Sequence, residues 1–291
     1  MGIPVSLPAT EKLPVVAHAM LKQRLITVAI VLPLLLGGVF FLPNTAWALL
    51  SILPVAVGAA EWSRLAGYRR SGRAVFIVAI VCSCLVLALW IWRAPQSAAV
   101  GQAATLLMVL ALLFWSVVVP LWLYFRWRLA QSWALALAGW MVLVPAWLAL
   151  AALQRSAGLL LAVLAFIWLA DTAAYFAGHR FGRHKLAPLI SPGKTWEGVI
   201  GAFAAVMVYA WLLSLLLQPG GNAFDRISML LFAGVLTALG ITGDLFESWI
   251  KRQAGTKDSG QLLPGHGGML DRVDSLTAAL PFAALYFAMV T

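Results

Sequence analysis

The run VFIVAIVCSCLVLALWIW, residues 75–92, carries no charged side chain. A charge-free apolar stretch of roughly 18 residues or more reads as a helix that crosses a lipid bilayer. Working outward from it, eight further apolar runs appear, at 26–42, 45–62, 105–125, 133–153, 157–177, 197–217, 228–243 and 275–290. Composition agrees. Hydrophobic residues make up 63% of the 291 and charged residues 10%, and mean hydropathy is +0.94. A soluble domain holds about 45–50% apolar and about 25% charged residues. Surface-to-volume scaling leaves too much of this excess exposed for one soluble core. An ordinary cytosolic enzyme, a disordered chain and a secreted disulfide scaffold are therefore excluded. The expected fold is an all-α, polytopic membrane bundle of about nine spans.

Charge sets the expected orientation. Lys12, Lys22 and Arg24 precede the first run, and Arg64, Arg69, Arg70 and Arg73 follow the second. Arg126 and Arg128 follow the fourth, and Arg180, Arg183, Lys185 and Lys194 follow the sixth. Lys251, Arg252, Lys257 and Arg272 follow the eighth. Only Arg93, Arg155 and Arg226 fall in the alternate loops. The positive-inside rule then puts the N-terminus in the cytoplasm and the C-terminus on the far side, and explains most of the net charge of +10. No nucleic-acid polymer is expected as partner, because no basic soluble module is present. Trp, at 14 residues, suits membrane–water interfaces. Pro33, Pro54, Pro120, Pro145 and Pro281 fall inside runs and read as kinks. Cys82 and Cys84 read as structural, with no disulfide framework or zinc site. The first run lacks a clean cleavage site for a signal peptide. The organisation expected is an interfacial tail over 1–24, membrane helices over 25–156, and a catalytic region over 157–291.

That last region holds two polar stretches, 178–196 and 244–274, too long and too polar for plain turns. Seven of the ten carboxylates lie in or beside them: Asp171, Glu197, Asp244, Glu247, Asp258, Asp271 and Asp274. Ionisable groups near membrane depth are costly and mark function. Asp244, Glu247, Ser248 and Lys251 follow i, i+3, i+4, i+7 and share a helical face. Asp271, Asp274 and Ser275 repeat the start of that pattern. Two such oxygen-rich faces suit Mg²⁺, which takes carboxylates together with phosphate and water. Plain salt bridging, Asp244 or Glu247 with Lys251 and Asp271 with Arg272, is the alternative. Between the faces lie Lys257-Asp258-Ser259-Gly260 and Pro264-Gly265-His266-Gly267-Gly268. Glycines there let backbone N–H groups approach phosphate oxygens, or simply make a membrane-edge turn. From 244 to 274 the side chains are four positive and five negative, so a divalent cation would tip the balance toward admitting a polyphosphate.

The other stretch reads Ser191-Pro192-Gly193-Lys194-Thr195-Trp196-Glu197-Gly198. Gly-Lys-Thr invites a P-loop reading, which fails because Pro188 stands where the first glycine is required. A lysine and two hydroxyls at a helix start remain, a place that favours anions. Ser191 or Thr195 is equally a candidate helix cap. His266 is open between base, phosphate donor and turn residue. His18, His179 and His184 make no metal pair at i, i+4.

The run Ser248-Trp249-Ile250-Lys251-Arg252, then Lys257-Asp258-Ser259-Gly260, then His266-Gly267-Gly268-Met269-Leu270-Asp271-Arg272-Val273-Asp274, resembles the signature of the phosphatidate cytidylyltransferases, or CDP-diacylglycerol synthases. Asp171-Thr172-Ala173-Ala174-Tyr175 with Gly178, and residues 191–198, resemble that family's second region, with His179 where Arg or Lys is expected. The resemblance covers roughly 171–274; residues before 150 share only hydrophobicity. It implies that CTP and phosphatidate give CDP-diacylglycerol and pyrophosphate. It implies an all-helical fold, often dimeric, in a bacterial plasma (inner) membrane with the site facing the cytoplasm. It implies a paired metal centre of Mg²⁺ with a second cation, K⁺ or Mg²⁺, on the acids matching Asp244 and Asp271.

With the spacing, this assigns Asp244, Asp271, Lys251 and Asp274 as catalytic. Ser191, Lys194, Thr195, Glu197, Glu247, Arg252, Lys257, Asp258, His266, Arg272 and Asp171 are the expected substrate-binding set. The division of the basic residues between CTP and lipid stays open. Nucleotidyl transfer suits such a site, because it needs positioning and charge neutralisation more than covalent help. Two alternatives share parts of the pattern. A CTP-dependent polyprenol or phytol kinase would release CDP. A transporter would show repeated halves and broken helices near the midplane, and no repeat is visible.

Overall fold

The computed structural model describes residues 12–129, 131–217, 223–262 and 267–290. Helices α1 (Lys12–Phe41), α2 (Asn44–Leu50), α3 (Ile52–Leu65), α4 (Arg70–Arg93) and α5 (Ala98–Leu113) open the chain. A π turn at Phe114–Val118 leads into α6 (Val119–Phe125), followed by α7 (Ser132–Leu153) and α8 (Ala157–Phe181). Strands β1 (Lys185–Ala187) and β2 (Ser191–Thr195) precede α9 (Trp196–Leu217), α10 (Ala223–Gln253) and α11 (Leu270–Val290). Among the described residues, eight segments are long and apolar enough to cross a membrane. The all-α membrane bundle expected from hydropathy is what the chain forms.

The departures have local causes. The first expected span is the shorter apolar segment Ile26–Phe41, the end of α1. The expected tail is helical from Lys12, and residues 1–11 lie outside the described residues. The second span is two helices meeting at Ser51. Pro54 lacks an N–H, and its ring crowds the carbonyl of Leu50 four residues back. The π turn sits directly before Pro120 for a similar reason, whereas Pro33, Pro145 and Pro281 stay inside their helices. Helix α10 runs ten residues past its expected end at 243. Phe246, Trp249 and Ile250 are buried there at i, i+3, i+4 and carry the amphipathic stripe onward. The stretch 178–196 is largely a hairpin, with Lys185 opposite Thr195 and Ala187 opposite Ser191.

Two devices bring the acidic helix ends together. The first is the absence of bulk. A Cβ on Gly198 would lie 2.9 Å from the Ala174 carbonyl, and one on Gly201 would strike Ala177, so α8 and α9 run in close contact. A Cβ on Gly243 would lie 2.5 Å from the Asp274 carbonyl, so α10 and α11 do likewise. Lipid provides no hydrophobic drive between helices, and close packing of small residues supplies the attraction instead. The second device is an aromatic cluster around Phe246. Its ring centroid lies 5.2 Å from Trp122, 5.7 Å from Trp115, 5.9 Å from Phe114 and 6.2 Å from Trp62. Edge-to-face pairs contribute about 0.5–1.5 kcal/mol each, so the cluster clamps α10 beside α3 and the π turn.

Polar contacts also mark the two ends of the bundle. At one end Tyr68 donates to the Ser132 carbonyl (2.6 Å), Trp249 to that of Trp127 (3.1 Å) and Gln253 to that of Leu129 (2.7 Å). At the other, Gln154 donates to the carbonyls of Val39 (3.2 Å) and Leu42 (3.0 Å), and Asn44 to the Ala151 carbonyl (2.7 Å) and Gln154 Oε1 (2.9 Å).

Candidate active site

The end bearing Tyr68, Trp249 and Gln253 also gathers the charged residues of α8, β2, α10 and α11. Lys194, on the hairpin, places Nζ 2.6 Å from Asp244 Oδ2. The other Asp244 oxygen accepts from Ser248 at 3.4 Å, one helical turn on. Asp244 lies within electrostatic reach of Asp171 and Asp274, and Ser275 ties those two together. Its hydroxyl donates to Asp171 Oδ1 (3.4 Å), and its N–H to Asp274 Oδ1 (2.9 Å).

A second lysine anchors the other half of the cluster. Lys251 Nζ lies 2.7 Å from Glu247 Oε2 and 2.6 Å from Asp271 Oδ1. The i, i+4 pair with Glu247 is the salt bridge that spacing alone allows; the pair with Asp271 needs α11 to fold back. Asp271 Oδ2 accepts from Ser259 N–H (3.0 Å) and Gly268 N–H (2.8 Å), and Ser259 Oγ lies 3.0 Å from it. The carboxylate thus closes the loop between α10 and α11 onto the helix end. Gly267, at φ +83°, makes the turn that aims the Gly268 N–H. Among the described residues Glu247 Oε1 is buried without a hydrogen-bond partner.

Asp171, Lys194, Asp244, Glu247, Lys251, Asp271 and Asp274 therefore meet at one end of the bundle, as expected. Other expected substrate residues have structural duties. Glu197 accepts from His184 N–H (3.1 Å) and contacts its Nδ1 (2.7 Å), pinning the start of the hairpin to α9. Thr195 Oγ1 accepts from Gly198 N–H (3.1 Å) and caps α9. Arg252 donates to the carbonyls of Ile190 (3.2 Å) and Thr256 (3.3 Å), joining α10 to the hairpin. Ser191 is half-buried in β2; Lys257, Asp258 and Arg272 are exposed near the same loop. His266 lies outside the described residues. Among the described residues no three of His, Cys, Asp and Glu converge at metal-ligand spacing.

Sequence reasoning passes over Glu61. It is 0% exposed, near the end of α3, and accepts from Met269 N–H, Leu270 N–H and Ser259 Oγ, each at 2.9 Å. The signal was available: a single carboxylate within an otherwise apolar span needs an explanation.

Comparison with known proteins adds an independent result. The model of the Cytidylyltransferase family matches residues 22–290. A phosphatidate cytidylyltransferase of Pseudomonas aeruginosa is 43% identical over 280 residues, covering 92% of this chain and 98% of that protein. One from Haemophilus influenzae is 32% identical over 293 residues, covering 93% and 100%. One from Thermotoga maritima is 42% identical over 132 residues, covering 45% of this chain and 49% of that protein.

Proposed function

The chain belongs to the cytidylyltransferase family, and we propose that it transfers the cytidylyl group of CTP to phosphatidate, giving CDP-diacylglycerol and pyrophosphate. The observation that carries this reading is the pair of lysine–carboxylate clusters at one end of a membrane bundle, where a lipid phosphate and a soluble nucleotide can both arrive. The family match does not favour the lipid-kinase or transporter readings.

In the reaction a phosphate oxygen of phosphatidate attacks the α-phosphorus of CTP. The bond from that phosphorus to the oxygen bridging the β-phosphate breaks, and pyrophosphate leaves with the electron pair. The nucleophile is already an anion, so no strong general base is required. Lys194 binds a phosphate oxygen in exchange for Asp244. Lys251, oriented by Glu247 and Asp271, holds a second. Such charge-assisted contacts are about twice as strong as neutral hydrogen bonds. The side chains Arg252, Lys257 and Arg272 surround the approach. Asp274 and Asp171 hold the acidic wall against which Lys194 is set.

The donor set fits Mg²⁺. All the acids offer hard oxygen ligands; among the described residues Asp244, 33% exposed, has one close partner, and Glu247 Oε1 is a buried oxygen with none. Asp244 and Asp271 would be the ligands. A second cation, K⁺ or Mg²⁺, belongs to the same proposal. When bound, magnesium supplies neutralisation of charge on the reacting phosphate oxygens. The proposed setting is a bacterial inner membrane with the site toward the cytoplasm, supported by the basic loops at 64–73 and 126–128. A homodimer is part of the proposal, and cross-linking in native membranes checks it.

The direct test supplies purified protein with CTP labelled in the cytosine ring, phosphatidate and Mg²⁺. A lipid-soluble cytidine product with equimolar pyrophosphate is expected. Release of CDP, with the label left in water, would overturn the assignment in favour of a kinase.

A further inference from the structure

We propose that Glu61 is a positioning residue of this reaction: from the N-terminal half of the chain it fixes the loop and helix start that set Asp271 and, through Asp271, Lys251. The proposal rests on the reaction assigned above. No step of that reaction uses Glu61, and no substrate contact is ascribed to it.

The geometry is specific. Glu61 Oε1 accepts from Met269 N–H, and Oε2 accepts from Leu270 N–H and the Ser259 hydroxyl. Leu270 is the first residue of α11, so the carboxylate sits on a helix N-terminus. The first N–H groups of a helix have no partner within it, and the dipole favours an anion beside them. Asp271 is the next residue, and it shares Ser259 with Glu61. The hydroxyl lies 2.9 Å from Glu61 Oε2 and 3.0 Å from Asp271 Oδ2, and its one proton serves one of them at a time. The Ser259 N–H holds Asp271 in either case. A continuous chain of bonds thus runs Glu61, Ser259 with Met269–Leu270, Asp271, Lys251, Glu247.

The loop is shaped to admit this carboxylate. A Cβ on Gly260 would collide with Glu61 Oε1, and one on Gly268 would collide with Ser259 Oγ and approach both Glu61 oxygens at 2.6 Å. Only a side-chain-free backbone comes this near. On the other side Glu61 is locked by its own helix, where the adjacent Trp62 is buried and donates to the Leu135 carbonyl at 2.8 Å. The loop is therefore referenced to the α3–α7 pair, a part of the molecule outside the two polar stretches.

Glu61→Gln keeps the shape but offers one acceptor oxygen, so it leaves donors of the α11 N-terminus unmatched. Three readouts on the full chain in nanodiscs separate positioning from simple packing. Hydrogen exchange at Met269 and Leu270 should rise at least about tenfold in Glu61→Gln as the helix start opens locally. The kcat for CDP-diacylglycerol should fall about a hundredfold, the scale of a 1 Å misplacement. KM for CTP should stay within about threefold, because the binding contacts persist. Glu61→Gln combined with Ser259→Ala should be non-additive in kcat, as for residues in one network.

Unchanged exchange and a kcat within about twofold of wild type would overturn the proposal. So would a lower melting temperature with the kcat of the folded fraction intact, or additive effects. If Glu61→Gln does not fold, Ser259→Ala and Gly268→Ala carry the same expectations and the same overturning results. If wild type itself yields no lipid-soluble cytidine product, the reaction assignment fails, while the exchange measurement still decides whether Glu61 holds the loop.

Discussion

Lys194 and Lys251 each sit 2.6 Å from an aspartate, yet the two pairs are built for different work. Side chains of Lys194 and Asp244 are 22% and 33% exposed, and among the described residues Asp244 has only a 3.4 Å hydroxyl contact besides. Those of Lys251, Glu247 and Asp271 are 12%, 6% and 7% exposed, and Asp271 accepts from Lys251 and from the N–H groups of Ser259 and Gly268, and shares the Ser259 hydroxyl with Glu61. Under the proposed reaction an incoming polyphosphate can displace Asp244 from Lys194, because that pair is the more accessible of the two and Asp244 makes fewer contacts. A buried, multiply bonded pair resists exchange, because removing one partner strands a charge and costs about 3–5 kcal/mol. On the proposed reaction, two similar distances describe a pair that substrate opens, the gate, and a pair that stays closed around the lysine it positions, the brace. Burial and bond count tell them apart.

The largest expected effect breaks the brace. Asp271→Asn puts an amide nitrogen against Lys251 or against the N–H groups of Ser259 and Gly268. Stability should fall by about 3–5 kcal/mol, read as thermal unfolding in detergent. Turnover should fall at least about a hundredfold. Next comes the gate. Asp244→Asn should also lower turnover about a hundredfold but cost less stability than Asp271→Asn, because Asp244 is more exposed and makes fewer contacts. Equal stability losses in the two variants would erase the distinction. Smaller again, Lys194→Met should raise the KM for a phosphorylated substrate roughly tenfold, the loss of about 1.4 kcal/mol of binding, with unfolding little changed.

How much of this was readable beforehand follows from the kind of signal each part leaves. The spans were legible because charge-free runs such as 75–92 have few alternatives. The faces of Asp244, Glu247 and Lys251 were legible because helical spacing is local. The bond between Lys251 and Asp271 was not, since it depends on where α11 packs. The extension of α10 to Gln253 was hidden by its rising polarity, although Phe246, Trp249 and Ile250 kept the helical period. The hairpin was hidden because strands of three and five residues, one of them containing Pro192 and Gly193, show no alternation. Glu61 stood alone in an apolar run, and its partners lie about two hundred residues away.

The smallest expected effect sharpens the gate side of the comparison. Thr195 follows Lys194, is 5% exposed, and uses Oγ1 to accept from Gly198 N–H at 3.1 Å. That bond satisfies one orphan donor of α9 and fixes the angle at which β2 enters the helix. Losing such a cap costs about 1 kcal/mol. Thr195→Ala should show that loss in unfolding and Thr195→Ser should recover most of it, since the hydroxyl does the capping. If Thr195 serves the gate only by holding Lys194, the KM shift in Thr195→Ala must be smaller than in Lys194→Met. A KM shift as large, with stability untouched, would mean that the hydroxyl meets the substrate itself and that the gate is wider than one lysine and one aspartate.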